Sequence, residues 1–449
     1  MKRWQPYLPI LGIFCLALAV RVLYNLTVGK NYVAGYDSQA YEKIAFNIVR
    51  EHCFCLNPYM PTVGRAPLWP GIIAAFDILL GPSNLYVRLF LCLVGSGTCV
   101  LVYLFAREVF NKQIALLAGI LASIYPGLFI YDGWLYSESL YTFLLLAFCY
   151  TLLLLQQTGK YRWAIASGII LGLFSLTRPN GLLILGLVFL WGIMFVQKKI
   201  LCWRAVATSI AIICLIALMI VTPWTIRNYQ TTHRFVPVAT GDGFVVLGAY
   251  NDMIFDNTPF RGMWIRPSLT HPEIVRHYLG CQGECEVRQN SDYEHYAWLW
   301  VQSHMSEMPY LLSLHFLAMW TPATPEADLP MNQFPSRHSS QIVVGMIQTM
   351  SIPVFILAAF GLVVTWRRKW RQLMFIYLVI GLTIGECLIF YGSSRFRAPI
   401  EPMLVILLAG GIWWVLFKIT NARKKSTMDS TEMHVSGQEI ANEVEHTST

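Results

Sequence analysis

Long apolar runs separated by short polar loops set the rhythm of this chain. A helix needs about 20 apolar residues to cross the hydrocarbon core of a bilayer, with shorter runs possible. Such runs lie at 8–28, 85–105, 114–130, 140–155, 163–176, 182–196, 206–221, 342–365, 373–391 and 399–417. The pattern predicts an all-α polytopic membrane protein with about ten transmembrane helices, the fifth and sixth unusually short.

Two long segments interrupt the rhythm. Residues 29–84 contain a short apolar piece, 68–80, suited to an interfacial or re-entrant helix rather than a span. Residues 223–341 are too long for a plain connector and predict a lid or small domain. Within them Ser291-Asp292-Tyr293-Glu294 has capping-box form and predicts a helix from there to near Met308, with an apolar surface helix over 309–320. The expected organisation is a transmembrane module over 1–222 with a catalytic outer loop at 29–84, then a large extracytoplasmic loop over 223–341. C-terminal transmembrane helices follow over 342–418, and a polar, disordered cytoplasmic tail over 419–449.

Basic residues orient this arrangement. With the N-terminus inside, Arg107 and Lys112, Lys160 and Arg162, Lys198, Lys199 and Arg204, the run Arg367 to Arg371, and Lys418 to Lys425 all fall on the inner side. The first run follows Lys2 and Arg3, is long for a signal peptide, and reads as a retained helix. The expected location is a bacterial inner (plasma) membrane with both termini in the cytoplasm.

Composition agrees. Of 449 residues, 56% are hydrophobic and 13% charged, which excludes a water-soluble domain. The net charge of +8 fits loop bias, and no basic run suggests nucleic acid as a partner. Cys53, Cys55, Cys281 and Cys285 lie in the segments expected outside the cytoplasm, where disulfides are allowed. Cys281 and Cys285 could bridge each other, or either could reach back to Cys53 or Cys55. A zinc site would recruit His271, His277 or His295, but the spacing fits no zinc pattern, so no metal and no cofactor is expected.

Chemistry-bearing residues gather at predicted outer helix mouths. Asp37, in Gly35-Tyr36-Asp37-Ser38, can act as a general base or simply cap a helix; Tyr41 shares its face one turn on. Arg65, in Gly64-Arg65-Ala66-Pro67-Leu68-Trp69-Pro70, sits on backbone stiffened by proline and can bind phosphate or ordinary anionic lipid. Asp132 and Glu138 flank the next outer loop, and Glu138, at the mouth of the fourth span, can serve the helix dipole or face Asp37 across a shared cleft. Arg178, Arg227, Arg395 and Arg397 also lie outside, against the usual charge bias, and an anionic ligand would explain them. Glu386, inside the ninth run, needs a partner, for which Arg395 is one candidate.

Together these pieces resemble the GT-C superfamily of membrane glycosyltransferases, and within it the protein O-mannosyltransferase and lipid A aminoarabinose transferase group. The resemblance covers most of the chain up to Phe417. It rests on Gly35-Tyr-Asp37-Ser, Arg65-Ala-Pro-Leu-Trp-Pro70, Leu135-Tyr-Ser-Glu138, Thr177-Arg-Pro-Asn-Gly181, Pro223-Trp-Thr-Ile-Arg-Asn228 and Arg395-Phe-Arg-Ala-Pro399, in that order. Many relatives carry two adjacent acids where this chain has Asp37-Ser38. The resemblance implies transfer of a sugar from a polyprenyl-phosphate donor on the outer face of the bilayer, with inversion and without a required metal. Asp37 would be the base and Glu138 would shape the pocket. Arg65 would hold the phosphate, with Arg397, Arg178 and Arg227; Tyr41, Asp132 and Arg395 would support. The acceptor is left open between glycolipid, glycan and protein. A transporter or flippase of lipid-linked sugars is the alternative, although most spans are uncharged at their middle.

Overall fold

The computed structural model describes residues 7–27, 30, 32–35, 37–256, 261–322 and 336–421. Helix α1 (Leu8–Leu26) leads to α2 (Asp37–Glu51), an antiparallel hairpin of β1 (Cys55–Asn57) and β2 (Met60–Pro61), and α3 (Leu68–Leu80). Then come α4 (Asn84–Val109), α5 (Lys112–Ile124), α6 (Pro126–Phe129), α7 (Glu138–Thr158), α8 (Tyr161–Thr177), α9 (Leu183–Gln197) and α10 (Trp203–Thr232). The large loop holds α11 (Asp242–Ala249), α12 (Pro267–Thr270), α13 (Pro272–His277), α14 (Glu284–Ser303) and α15 (Met308–Trp320). The chain ends with α16 (Arg337–Ile389), α17 (Ser394–Arg397) and α18 (401–421). Residues 419–421 of the expected tail continue α18, and the rest of it lies outside the described residues.

This is an all-α integral membrane protein. Among the described residues seven helices are long and apolar enough to cross a bilayer, and α5 with the turn after it, bent by 67°, makes an eighth. The sequence pattern predicts about ten, and two features account for the difference. Helix α8 has 17 residues, short for a span, and is packed between α7 and α10. Helix α16 is helical over 53 residues where two spans were expected. Straight, it would be about 80 Å long, and residues twelve apart would stand about 18 Å apart along its axis. Yet the Tyr377 hydroxyl donates to Thr365 Oγ1 at 2.8 Å, and the Trp366 and Tyr377 rings lie 5.1 Å apart. The helix therefore folds back sharply at the basic stretch between them, and Gln156 Nε2 caps the Arg371 carbonyl there at 2.8 Å.

Helix α7 buries more of its apolar window than any other span and forms the central post of the bundle. Near one end, Arg21 of α1 is fully buried against Asp132, with Nε to Oδ2 at 2.6 Å. Gly95 of α4 permits this close approach, since a side chain there would collide with both partners. An ionic pair without water contact inside apolar surroundings ties α1, α4 and the bent α5–α6 segment together.

The two ends of the bundle differ in kind. One end gathers the basic stretches: Lys369 lies over Trp413, Arg368 over Phe417, and Phe195 packs near Trp370. The other carries α2, the hairpin, α3 and the large loop. In that loop α14 begins at Glu284, not at Ser291 as the capping-box pattern predicts. Gly283, at φ +68°, ends the preceding turn, and two acids in the first helical turn favour the earlier start through the helix dipole. Cys53 is bonded to Cys55, and Cys281 to Cys285.

Candidate active site

Asp37 is the first residue of α2, yet its carboxylate does not cap that helix. Oδ1 accepts from Arg65 Nη2 at 3.1 Å and Oδ2 from Arg395 Nη2 at 2.8 Å. Arg395 Nε also meets Glu138 Oε1, which is shared with Arg178 Nη2 at 2.6 Å. Five residues from five separate stretches of chain thus form one ionic chain. Its three guanidiniums outnumber its two carboxylates, leaving an excess positive charge at a helix end. Desolvation works to raise the Asp37 carboxyl, but Arg395 and Arg65 outweigh it and hold it well below the usual carboxylate range.

Local structure explains the convergence. Trp69 of α3 is fully buried and donates through Nε1 to the Leu135 carbonyl at 3.0 Å, tying the Arg65 segment to the loop that ends in Glu138. Ser393 caps α17 by accepting from the Arg395 backbone N–H at 3.1 Å. Before it, Gly392 lies so close to the His315 carbonyl of α15 that no side chain would fit. Aromatic faces hold two of the cations: Tyr136 lies 4.4 Å from the Arg395 guanidinium and Tyr141 lies 5.4 Å from that of Arg178. Tyr41 is buried one turn after Asp37. Arg65 Nε is buried with no partner among the described residues, which leaves a donor for an incoming anion.

A narrow cleft, with a cavity volume of about 60 Å³, has Arg178, Asn180 and Glu386 on its polar side and Ile184, Val379 and Leu382 on its apolar wall. Glu386 accepts from Asn180 Nδ2 at 3.3 Å; Arg395, its expected partner, is taken by Asp37 and Glu138. The cleft thus sets an apolar wall beside a polar side that holds both a cation and an acid.

Three sequence candidates sit elsewhere. Arg397 is 2% exposed; it pairs with Glu401 at 2.7 Å and donates to the carbonyls of Met319, Thr321 and Pro322. Arg227 lies over Trp224 and donates to the Thr62 and Phe54 carbonyls at 2.7 and 3.3 Å, bracing the first loop from α10. Asp132 is consumed by Arg21. Sequence reasoning passed over Arg21, although a lone charge inside the first span was a signal for a buried partner. It also passed over Glu286, which in sequence reads as an unremarkable acid of the large loop. Among the described residues no group of three or more His, Cys, Asp or Glu is placed to hold a metal ion.

A family model described as dolichyl-phosphate-mannose-protein mannosyltransferase matches residues 64–226. The archaeal oligosaccharyltransferase AglB from Archaeoglobus fulgidus, solved with an inhibitory peptide and a dolichol-phosphate, superposes with a TM-score of 0.57 at 14% identity, over 94% of this chain and 52% of that one. This is the GT-C fold. The same enzyme solved with Zn and sulfate gives 0.56 at 13% identity, over 92% and 49%. ArnT from Cupriavidus metallidurans bound to undecaprenyl phosphate gives 0.42 at 14% identity, over 90% and 77%. The chain spans about half the length of AglB. No curated protein sequence matches it. The structural likeness covers 94% of the chain, whereas the family match begins at Gly64 and leaves Asp37 outside it.

Proposed function

We propose that this protein is a membrane glycosyltransferase that moves a sugar from a polyprenyl-phosphate donor to an acceptor hydroxyl, with inversion. The observation that carries the reading is the Asp37 carboxylate shared by Arg65 and Arg395, joined through Glu138 to Arg178, which lines a partly apolar cleft. AglB's complex with a dolichol-phosphate supports a lipid phosphate as the occupant of that cleft. The positive-inside rule puts the basic helix ends in the cytoplasm and the site on the outer face.

In this mechanism the lipid tail lies along Ile184, Val379 and Leu382, and the phosphate draws on Arg65, Arg395 and Arg178. As it engages them, the guanidiniums turn from Asp37 to the phosphate oxygens. The carboxylate regains basicity at the moment a base is needed. Asp37 takes the proton from the acceptor hydroxyl while that oxygen attacks the anomeric carbon. The bond from this carbon to the phosphate oxygen breaks, and the electron pair leaves with the lipid phosphate. The arginines stabilise the added negative charge. Glu138 keeps Arg178 and Arg395 in place without touching the reacting atoms. The acceptor is a glycolipid, glycan or protein hydroxyl.

Asp37→Asn tests this. Purified and returned to vesicles with polyprenyl-phosphate sugars from a membrane lipid extract, it should lose transfer by about 10²-fold or more while remaining inserted and monodisperse. Wild-type rates in this variant would remove Asp37 from the chemistry.

A further inference from the structure

The strip of chain before Arg65 is held by the large loop. Glu286, in the first turns of α14, is 8% exposed. Its Oε1 accepts from Thr62 Oγ1 at 2.6 Å and its Oε2 from the Val63 backbone N–H at 2.6 Å. Thr62 Oγ1 in turn accepts from the Gly64 N–H at 3.0 Å. Arg65 comes next, its Nη1 donating back to the Gly64 carbonyl at 3.2 Å. The same strip receives Arg227 Nη1 on the Thr62 carbonyl at 2.7 Å and the Thr240 N–H on the Val63 carbonyl at 2.9 Å. One turn along α14, Asn290 Oδ1 accepts from the N–H groups of Gly241 and Gly243, so the face of α14 that grips Thr62 also grips the start of α11.

We propose that Glu286 is a positioning residue for the donor site: α14 uses it to fix the 62–64 strip and so aims the Arg65 guanidinium at the lipid phosphate. The inference rests on the glycosyltransferase reading for the identity of that anion. A carboxylate bridging two adjacent donors, 224 and 223 residues away in sequence, is more than a loop of this size needs for solubility. Charge-assisted bonds of this kind are the strong ones. The strip offers no regular secondary structure of its own, so its register depends on these partners. Arg65 sits one residue beyond the last clamped backbone group. A small shift of the strip therefore becomes a large shift at the guanidinium, while Arg395 and Arg178, held by other elements, stay where they are.

The experiment is a double-mutant cycle on the binding of undecaprenyl phosphate to the full-length protein in nanodiscs. Glu286→Gln should weaken binding about tenfold, as Arg65→Ala does. Because Glu286 acts through Arg65, the double variant should bind no more weakly than Arg65→Ala alone. Thr62→Val removes the other half of the same bond and should give a similar loss, which keeps the test alive if Glu286→Gln folds poorly. Losses that multiply in the double variant, or unchanged binding in both Glu286→Gln and Thr62→Val, would overturn the assignment. Failure of the wild-type protein to bind the lipid phosphate would sink the proposed function and this inference with it. Binding by wild type with multiplying losses would sink this inference alone.

Discussion

Replacing Arg395 by glutamine separates the two arginines of Arg395-Phe396-Arg397, which are neighbours in sequence but not in role. Arg395→Gln leaves Glu138 with Arg178 at 2.6 Å and Asp37 with Arg65 at 3.1 Å. Neither acid is orphaned, so the folding cost is that of lost charge-assisted bonds, about 1.5–3 kcal/mol. The lower end is the better figure, because Arg395 and Asp37 are 19% and 31% exposed. Transfer should suffer more, about 10²- to 10³-fold, the usual loss on removing one donor to developing negative charge. Arg397→Gln should do the reverse. Glu401, 2% exposed, loses its only cation among the described residues, and an uncompensated charge of that kind costs about 3–5 kcal/mol. The folded fraction should then transfer sugar at near the wild-type rate. Thermal unfolding in detergent and transfer per folded molecule in vesicles read the two effects apart. A stable but inactive Arg397→Gln beside an active Arg395→Gln would refute the placement argued here.

Two further outcomes follow from the same geometry. With its carboxyl held down by Arg395 and Arg65, free Asp37 stays ionised well below the ordinary carboxylate value of about 3.9. The stability it contributes is complete above that value and is lost only as pH falls through the depressed one. In the proposed mechanism donor binding takes the arginines away and raises it, so the acid limb of kcat should lie at higher pH than the acid limb of kcat/KM; coincident limbs would show that the arginines never leave. Asp132→Asn strands the fully buried Arg21 and should cost about 3–5 kcal/mol, read by thermal unfolding, with transfer per folded molecule unchanged. Loss of transfer at normal stability would return Asp132 to the site.

Much of the architecture was legible because its punctuation is local. The apolar piece 68–80 coincides with α3 since Pro67 precedes it and Gly81, at φ +82°, closes it. The two arms of α16 were readable as separate runs because the basic stretch between them cannot sit in hydrocarbon. The gathering of acids and arginines at one end of the bundle followed from counting spans. What sequence could not decide was facing. Arg395 and Arg397 are two residues apart on a helical turn and so point about 200° apart. One reaches Asp37, the other Glu401, and nothing in the string Arg-Phe-Arg distinguishes them. Asp132 and Glu138 flank one short loop, and only depth shows that Asp132 belongs to Arg21. Glu286 was invisible because its meaning lies in a partner 224 residues away.

The bond between Arg395 and Asp37 joins residues 358 positions apart. At about 5–20 residues per second, a ribosome needs on the order of 20–70 s to travel that distance. Throughout that interval the early helices are already threaded into the bilayer, carrying a proton acceptor whose second cation does not yet exist. On the proposed reading, the nascent chain lacks one of the donors to the leaving phosphate until α17 emerges.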